Sequence, residues 1–357
     1  MSRDFAKIAR KYRWPRLAQF PFNASHAMKN LLRFFALVQV SSLAAQTLGT
    51  IHRADGQLDQ LIPKKAVIEK LADGFEWSEG PVWVANGGYL LFSDVPRNTI
   101  YKWKEGEGVS VFLRPSGFSA ENPPGVELGT NGLALDAHGV LTMCDHGNRC
   151  VSQLLEKNFT KKLLANNYQG KRFNSPNDLV FKSNGDLYFT DPPYGLKGLN
   201  KDPNKQLEFN GVYRVTPSGE VTLLTRETTF PNGIAFSPDE KTLYVAQSDP
   251  DKAVWFAFDV LEDGTLGKSR ILFDATPWVK QGKKGLPDGL AVDQAGNLFA
   301  TGPGGVVVLN ANGKHLGTID TGEATANCKF GDDGATLYIT ADMYLCRIKL
   351  TTKGLGF

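Results

Sequence analysis

The sequence predicts an all-β protein, a six-bladed β-propeller, because of its repetition and its composition. A strand–turn–strand unit recurs six times along the 357 residues. Hydrophobic residues make up 41% of the chain, and 37 glycines and 19 prolines are spread along it, which indicates a large core and many tight turns. No stretch after residue 45 has helical periodicity. A two-sheet sandwich explains many strands but not six copies of one unit, whereas a propeller explains both.

Each copy of the unit begins with a turn that contains a carboxylate or amide side chain and continues as a short apolar run. A second β-rich run follows after a turn rich in Gly, Asn or Asp, which is the signature of a β-hairpin. The residues that open the copies are Glu79, Asn131, Asn177, Asn232, Asp288 and Asn327. Their spacings of 52, 46, 55, 56 and 39 residues match four-stranded blades joined by loops of different length.

The sixth copy lacks an obvious fourth strand of its own. It ends with a strand-like run at 345–350, and another β-rich segment, 66–71, precedes the first copy. Pairing of these two segments closes the ring and removes the exposed sheet edge. We therefore predict one propeller domain over residues 66–357, preceded by a linker at 46–65.

The basic residues of the chain are concentrated before the propeller. The formal net charge is +3, but residues 1–45 carry eight Lys and Arg against one acid, so the remainder has a net charge of −4. This balance argues against nucleic acid as a partner. Residues 1–27 form a basic extension, and residues 28–45 have the basic start, short apolar run and small residues of a signal peptide. An amphipathic or disordered extension is the alternative.

A signal peptide at 28–45 predicts a periplasmic or secreted protein, with Met28 as its expected natural start. The apolar run is shorter than the roughly 20 residues that span a bilayer, so we expect no membrane anchor. The four cysteines form no CxxC pair and indicate no zinc knuckle. Cys144 and Cys150 either form a disulfide across a hairpin or are buried thiols. No feature indicates an obligatory protein partner.

The six residues that open the copies are expected to face one another, because the inner strands of a propeller all begin at the same mouth of the channel. Asn and Asp are favoured in turns, which explains any one position but gives no reason for Glu79. Together they form an all-oxygen site with two carboxylates, which suits one divalent cation. Ca²⁺ fits best, with Mg²⁺, Mn²⁺ or Zn²⁺ as alternatives.

Residues 66–350 resemble the regucalcin/gluconolactonase family of six-bladed propellers. The matching motifs are SEGPVW at 78–83, DHGNR at 145–149, RFNSPND at 172–178, TDPPYG at 190–195, FPNG at 230–233 and PDG at 287–289. The resemblance implies one divalent metal whose ligands are Glu79, Asn177, Asn232 and Asp288. It also implies a hydrolase that opens a small sugar lactone, such as glucono-1,5-lactone, to an aldonic acid.

In the implied reaction, the metal polarises the lactone carbonyl and Asp288 accepts a proton from the attacking water. Arg172 matches a family arginine that would donate hydrogen bonds to substrate oxygens, with a structural arginine as the alternative. Asn131, His146 and Tyr194 are further candidates for substrate binding, and for His146 and Tyr194 a structural role is the alternative. No GxSxG motif is present, which argues against a serine esterase.

Two other functions stay open on the sequence alone. A propeller resembling diisopropyl fluorophosphatase or paraoxonase would keep the metal site and hydrolyse other lactones or phosphotriesters. A non-catalytic binding propeller would use the metal only for stability. A pocket lined by Arg and Asn favours sugars, whereas an aromatic pocket favours the other substrates.

Overall fold

The sheets of the computed structural model are arranged as the repeats predict. The structure describes residues 46–120, 125–155 and 159–357, so the basic extension (1–27) and the signal peptide (28–45) lie outside the described residues. Within these ranges, six antiparallel sheets of four or five strands and one two-stranded sheet account for the named strands. The first strands of neighbouring sheets contact one another all the way round the ring. The prediction of a six-bladed β-propeller is confirmed.

We number the blades 1 to 6 in chain order, each beginning with its inner strand. The strands of blades 1 to 3 are Ser78–Val84, Tyr89–Asp94, Thr99–Lys104 and Gly108–Leu113; Thr130–Leu135, Leu141–Asp145, Cys150–Leu155 and Thr160–Ala165; Leu179–Phe181, Leu187–Asp191, Gly211–Val215 and Val221–Thr225. Those of blades 4 to 6 are Pro231–Phe236, Thr242–Asp249, Lys252–Val260 and Leu266–Asp274; Leu290–Val292, Leu298–Gly302, Gly305–Leu309 and His315–Asp320; Asn327–Gly331, Thr336–Ala341 and Tyr344–Lys349.

Ring closure occurs in blade 6, where the predicted segment supplies the fourth strand. Ile68–Ala72 pairs antiparallel with Tyr344–Lys349, and Cys346 lies opposite Lys70. An ion pair between Arg347 and Glu69, 2.7 Å from Nε to Oε2, joins the same two strands. The N-terminal and C-terminal parts of the propeller are therefore held in one sheet, which leaves no open seam between first and last blade.

Residues 46–65, predicted as a linker, are built into the propeller. Gln46–Leu48 extends blade 6 beyond the closing strand, and Thr50–Arg53 pairs with the outer strand of blade 5. A helical turn, Leu58–Leu61, buries Leu58 completely in the apolar core between blades 5 and 6. The prediction missed this role because strands of three and four residues carry too little alternation to be recognised.

The remaining elements lie in the connections between strands. They are the helix Thr276–Lys280, the 3₁₀ turns Ala85–Gly87 and Leu199–Lys201, and a small hairpin of Asn167–Tyr168 and Lys171–Arg172. No helix within the described ranges is long and apolar enough to cross a membrane.

All four cysteines are buried free thiols, and the disulfide considered for Cys144 and Cys150 is absent. The register of blade 2 explains why: Cys144 lies opposite Val151, and Cys150 lies opposite Asp145. Since successive side chains of a strand point to opposite faces, the two thiols lie on opposite faces of the sheet.

Candidate metal and substrate site

The residues that open the six inner strands converge at one end of the axis. The backbone N–H of Gly132 in blade 2 donates to the carbonyl of Asn177 in blade 3 at 2.8 Å. The side-chain amide of Asn327 in blade 6 donates to Glu79 Oε2 in blade 1 at 3.3 Å. Neighbouring blades therefore contact each other through these turns. We call this set the axial ring: Glu79, Asn131, Asn177, Asn232, Asp288 and Asn327.

Five members of the axial ring are buried, as residues that are between 2% and 6% exposed. Asp288 is partly exposed, although its Oδ1 atom is buried. The ring is therefore enclosed by the protein except at Asp288, which a ligand entering from solvent can reach.

Glycines that follow ring residues let the blades approach this closely. A Cβ atom at Gly289 would overlap the side chain of Asn327, and one at Gly233 would overlap the carbonyl of Asp288. Blade 3 has Asp178 at this position instead. Its carboxylate packs against Gly132, where an added Cβ would lie 2.7 Å from Oδ1. Asp178 is thus a third carboxylate beside the ring, and it was not among the sequence candidates.

Hydroxyl groups on the second strands hold the turns of the ring in place. Each donates to a main-chain carbonyl in the turn of the following blade. The pairs are Ser93 with Asn131 at 2.8 Å, Thr190 with Asn232 at 2.7 Å and Thr301 with Ala326 at 2.8 Å. The sequence signal was available, because a Ser or Thr recurs near the end of the second strand of the repeat. These bonds fix where the side chains of the ring are directed.

Three oxygen atoms of the ring are buried without a hydrogen-bond partner among the described residues: Asn131 Oδ1, Asn232 Oδ1 and Asp288 Oδ1. The amide nitrogen of Asn232 donates to Ser248 Oγ at 2.9 Å, which orients the opposite, carbonyl end of that side chain. Burying such oxygens unpaired is costly, and native proteins rarely do so. Carboxylate and amide oxygens are the donors that hard divalent cations prefer, so these residues fit the predicted metal.

Burial also perturbs the acids at the ring. It raises the pKa of Glu79 to about 8 and the pKa of Asp178 to about 6. Burial, together with the neighbouring charge of Glu79, raises the pKa of Asp288 well above its usual range. Like charges held close together away from water favour the binding of protons or of a cation. Among the described residues, no three His, Cys, Asp or Glu side chains are arranged as a metal site. The predicted ligand set contains only two residues of those types.

His146 and Glu127 form a pair at the edge of the ring. His146 is 1% exposed, and its Nδ1 lies 2.7 Å from Glu127 Oε2, while its Nε2 is buried without a partner in the described structure. The charge of Glu127 contributes to the raised pKa values of Glu79 and Asp288, after the larger effect of burial. Sequence reasoning missed Glu127, because the long loop that carries it contains no repeat to align.

Tyr194 is also brought to the ring. Its ring stacks on Phe230 with centroids 5.9 Å apart, and its hydroxyl is buried without a hydrogen-bond partner in the part of the chain that the structure describes. Burial raises the pKa of this hydroxyl, the adjacent Ser248 side chain lowers the pKa, and the nearby charge of Asp288 raises it. The Tyr194 hydroxyl therefore lies on the same side of the ring as Asp288.

Arg172 is not brought to the ring. Its side chain is exposed and donates from Nη2 to the carbonyl of Asn148 at 2.8 Å. The buried arginine of this region is Arg149, which donates to the carbonyls of Phe173 at 2.7 Å and Asn204 at 2.9 Å. Arg149 therefore anchors the loop that leads to Asn177.

The chain resembles known proteins over most of its length. The family model described as the SMP-30/Gluconolactonase/LRE-like region matches residues 77–342 of the chain. This chain belongs to that family. It is 40% identical to the gluconolactonase of Zymomonas mobilis subsp. mobilis over 320 residues, which cover 88% of this chain and 90% of that one.

Two solved structures of other proteins are similar to this chain. The gluconolactonase of Xanthomonas campestris superposes with a TM-score of 0.74 at 32% identity, covering 86% of this chain and 97% of its own. A calcium-binding regucalcin from Agrobacterium tumefaciens has a TM-score of 0.63 at 18% identity, covering 80% and 94%, and shares the fold. The resemblance inferred from the motifs is confirmed at the level of the family.

Proposed function

We propose that this chain opens sugar lactones, such as glucono-1,5-lactone, to aldonic acids with the help of one divalent cation. Membership of the gluconolactonase family supports lactone hydrolysis. The observation that carries the metal-dependent form is the pair of unpartnered buried oxygens, Asn232 Oδ1 and Asp288 Oδ1, in the ring that also holds Glu79. With Asn177, these residues are the proposed ligands, and their oxygen donors favour Ca²⁺.

A cation bound there supplies a Lewis acid for the lactone carbonyl and for the oxyanion that forms on hydrolysis. Glu79 and Asn232 would hold it from the buried side of the ring. Asp288 would bind it through the buried Oδ1 and leave Oδ2 for a water molecule at the exposed side.

Asp288 is the proposed general base. Oδ2 would accept a proton from the water that attacks the lactone carbonyl, and the proton would then pass to the leaving ring oxygen. Burial raises the pKa of this carboxyl, which makes the ionised form a stronger base than an exposed aspartate. Its position at the edge of the ring places the proton acceptor where substrate enters.

Three polar groups at the same mouth are proposed to bind the hydroxyl groups of the sugar. They are Asn131 Oδ1, His146 Nε2 and Tyr194 Oη, each buried and without a partner in the described structure. An apolar lactone would leave these groups unpaired, whereas a polyhydroxylated one satisfies them, which favours a sugar substrate. Arg172, exposed at the rim, is proposed only as an outer contact.

The test is an assay of purified protein stripped with a chelator. Lactone opening releases acid, so base consumption in a pH-stat would be followed on glucono-1,5-lactone with and without Ca²⁺, Mg²⁺, Mn²⁺ or Zn²⁺. We expect turnover above the spontaneous rate that a cation restores. The Glu79→Gln variant should require more cation than the wild type, and Glu262→Gln, an exposed acid on blade 4, should not. Equal turnover in stripped and metal-loaded protein contradicts the metal-dependent mechanism.

The same assay on an unsubstituted six-membered lactone and on a phosphotriester tests the substrate class. Preference for the sugar lactone supports the roles of Asn131, His146 and Tyr194. Preference for either apolar substrate contradicts them while leaving the metal site intact.

A further inference from the structure

Lys329 breaks the pattern of the inner strands. The position at the same register of the inner strand is apolar in the other five blades. The residues there are Val82, Ala134, Val180, Ala235 and Ala291, which line the same cavity as Lys329. Blade 6 has Lys329, two residues after Asn327 and only partly buried. A lysine at a position that five repeats keep apolar calls for a partner, because ammonium groups are rarely buried without one.

No conventional partner is present. The side chain of Lys329 forms no hydrogen bond or ion pair with any residue in the described ranges. It lines a cavity of about 1180 Å³ on the axis, whose apolar wall is formed by the far ends of the inner strands. Since this position is two residues from the ring, the side chain lies roughly 7 Å along the strand from it.

An opposite charge lies across the axis. Blade 6 faces blade 3 in a ring of six, and blade 3 carries Asp178. Burial raises the pKa of Asp178, and the positive charge of Lys329 acts in the opposite direction. The ammonium group therefore lies within electrostatic range of Asp178, beside the ring, without contacting its carboxylate.

We propose that Lys329 is the internal counter-charge of the axial ring. This inference rests on the proposed metal site. With a divalent cation bound, the carboxylates of Glu79, Asp178 and Asp288 together carry three negative charges, and the cation and Lys329 together carry three positive charges. The enclosed site is then neutral. With an apolar residue in blade 6, as in the other blades, it would keep one uncompensated negative charge away from water, which is strongly unfavourable.

The proposal predicts how charge governs metal binding. Lys329 stabilises the metal-free ring and repels an incoming cation, so its removal should tighten cation binding while destabilising the metal-free protein. Because Coulomb energy scales with the charge of the ion, a trivalent ion should gain more than a divalent one. We expect the Kd for Ca²⁺ to fall about tenfold and the Kd for La³⁺ about thirtyfold in Lys329→Met.

The experiment is isothermal titration calorimetry of CaCl₂ and LaCl₃ into chelator-stripped full-length protein, with the Tm of metal-free and Ca²⁺-loaded samples. Lys329→Arg keeps the charge and should behave as the wild type. Lys268→Met removes the same charge from the exposed outer strand of blade 4 and is the matched control. The Tm of Lys329→Met should fall more without metal than with it.

The outcomes separate the two proposals. If the wild type binds Ca²⁺ and Lys329→Met binds both ions with unchanged or weaker affinity, the counter-charge role is wrong and the metal site stands. If Lys329→Arg behaves like Lys329→Met, packing rather than charge matters and the inference fails. If the wild type binds neither ion, the metal site fails and the counter-charge role fails with it.

Discussion

Asp288 is the member of the axial ring that is both buried at one oxygen and open to solvent. One oxygen is enclosed at the axis without a partner, and the residue as a whole stays partly exposed. A carboxylate that contributes one oxygen to a metal and the other to a water molecule needs this arrangement. The proposed hydrolysis therefore depends on the position that blade 5 gives to the side chain of Asp288.

The Asp288→Asn variant tests this role. It keeps the shape of the side chain and an oxygen for the metal, but removes the proton acceptor. Turnover of glucono-1,5-lactone should fall about 10²–10⁴-fold while the protein stays folded. The far-UV circular dichroism spectrum and the Kd for Ca²⁺ would be measured beside the rate. Asp333→Asn, on an exposed hairpin of blade 6, should retain full activity. Undiminished turnover in Asp288→Asn would remove Asp288 as the base.

Buried acids make the metal-free protein sensitive to pH. The folded-state pKa of Glu79 is about 8 against an ordinary value of 4.5, and that of Asp178 is about 6 against 3.8, both because of burial. A group whose pKa is raised on folding contributes stability below its unfolded pKa, and that contribution is lost as pH rises through the folded pKa. Between about pH 4.5 and pH 8, these acids therefore destabilise the metal-free protein progressively.

We expect the Tm of chelator-stripped protein to fall between pH 5 and pH 8. Saturating Ca²⁺ should reduce this dependence, because a bound cation favours the ionised carboxylates that burial disfavours. Thermal unfolding would be followed by circular dichroism at several pH values with and without Ca²⁺. A Tm that rises across this range in the stripped protein contradicts the assignment of raised pKa values to the ring.

At the scale of the elements, the residues of the site lie at the beginnings of the inner strands. Contacts between neighbouring blades hold these strands in position. Glycine after a ring residue allows the next turn to pack directly on it, and hydroxyls from the second strands tie the turns together. Gly289 is the most constrained of these positions, since any Cβ would overlap the side-chain amide of Asn327. That amide in turn donates to Glu79.

Gly289→Ala should therefore destabilise the protein by about 1–3 kcal/mol, as added volume does in a closely packed interior. Metal affinity should weaken as well, because displacement of Asn327 removes its hydrogen bond to Glu79. Urea unfolding and calorimetric titration with Ca²⁺ measure the two effects. Gly56→Ala, where a Cβ meets nothing within 4 Å, is the matched control and should change neither quantity. Wild-type stability in Gly289→Ala would show that the turns do not interlock as described.

At the scale of the whole molecule, the ring depends on its closure. Ile68–Ala72 completes blade 6, and residues 46–65 cover the outside of blades 5 and 6. Leu58, Leu61 and Ile62 contribute to the apolar core between those blades. The closing strand and the covering segment contribute separately to stability, and truncated chains distinguish the two contributions.

A chain that begins at residue 66 should fold and retain activity with a lower Tm, because it keeps the closing strand and loses the apolar cover. A chain that begins at residue 74 should aggregate, because the loss of Ile68–Ala72 exposes a sheet edge on blade 6. Size-exclusion chromatography and thermal unfolding of both truncated proteins give the comparison. A soluble, monomeric propeller from the shorter chain contradicts the role of the closing strand.

The repeats were enough to predict the number of blades, the closing strand and the six polar residues at the axis. All of these follow from periodicity, since a unit that recurs must place equivalent residues in equivalent positions. Glu79 and Asp288 were recognisable because they are carboxylates at such positions. Asp178 was not selected, although it lies beside Asn177, because only the packing of blade 3 against Gly132 places its carboxylate at the axis.

What the sequence by itself determined is thus the ring and the identity of the residues that open it. The tertiary structure decided which polar atoms are left without partners, that Arg172 lies at the surface, and that Glu127 pairs with His146. It also decided that Lys329 lines the axial cavity within electrostatic range of Asp178. The physical reason is that burial and electrostatic range depend on distances between blades. A repeat determines the position of a residue within its own blade, but the environment of its side chain is made by the neighbouring blades and by the opposite side of the ring.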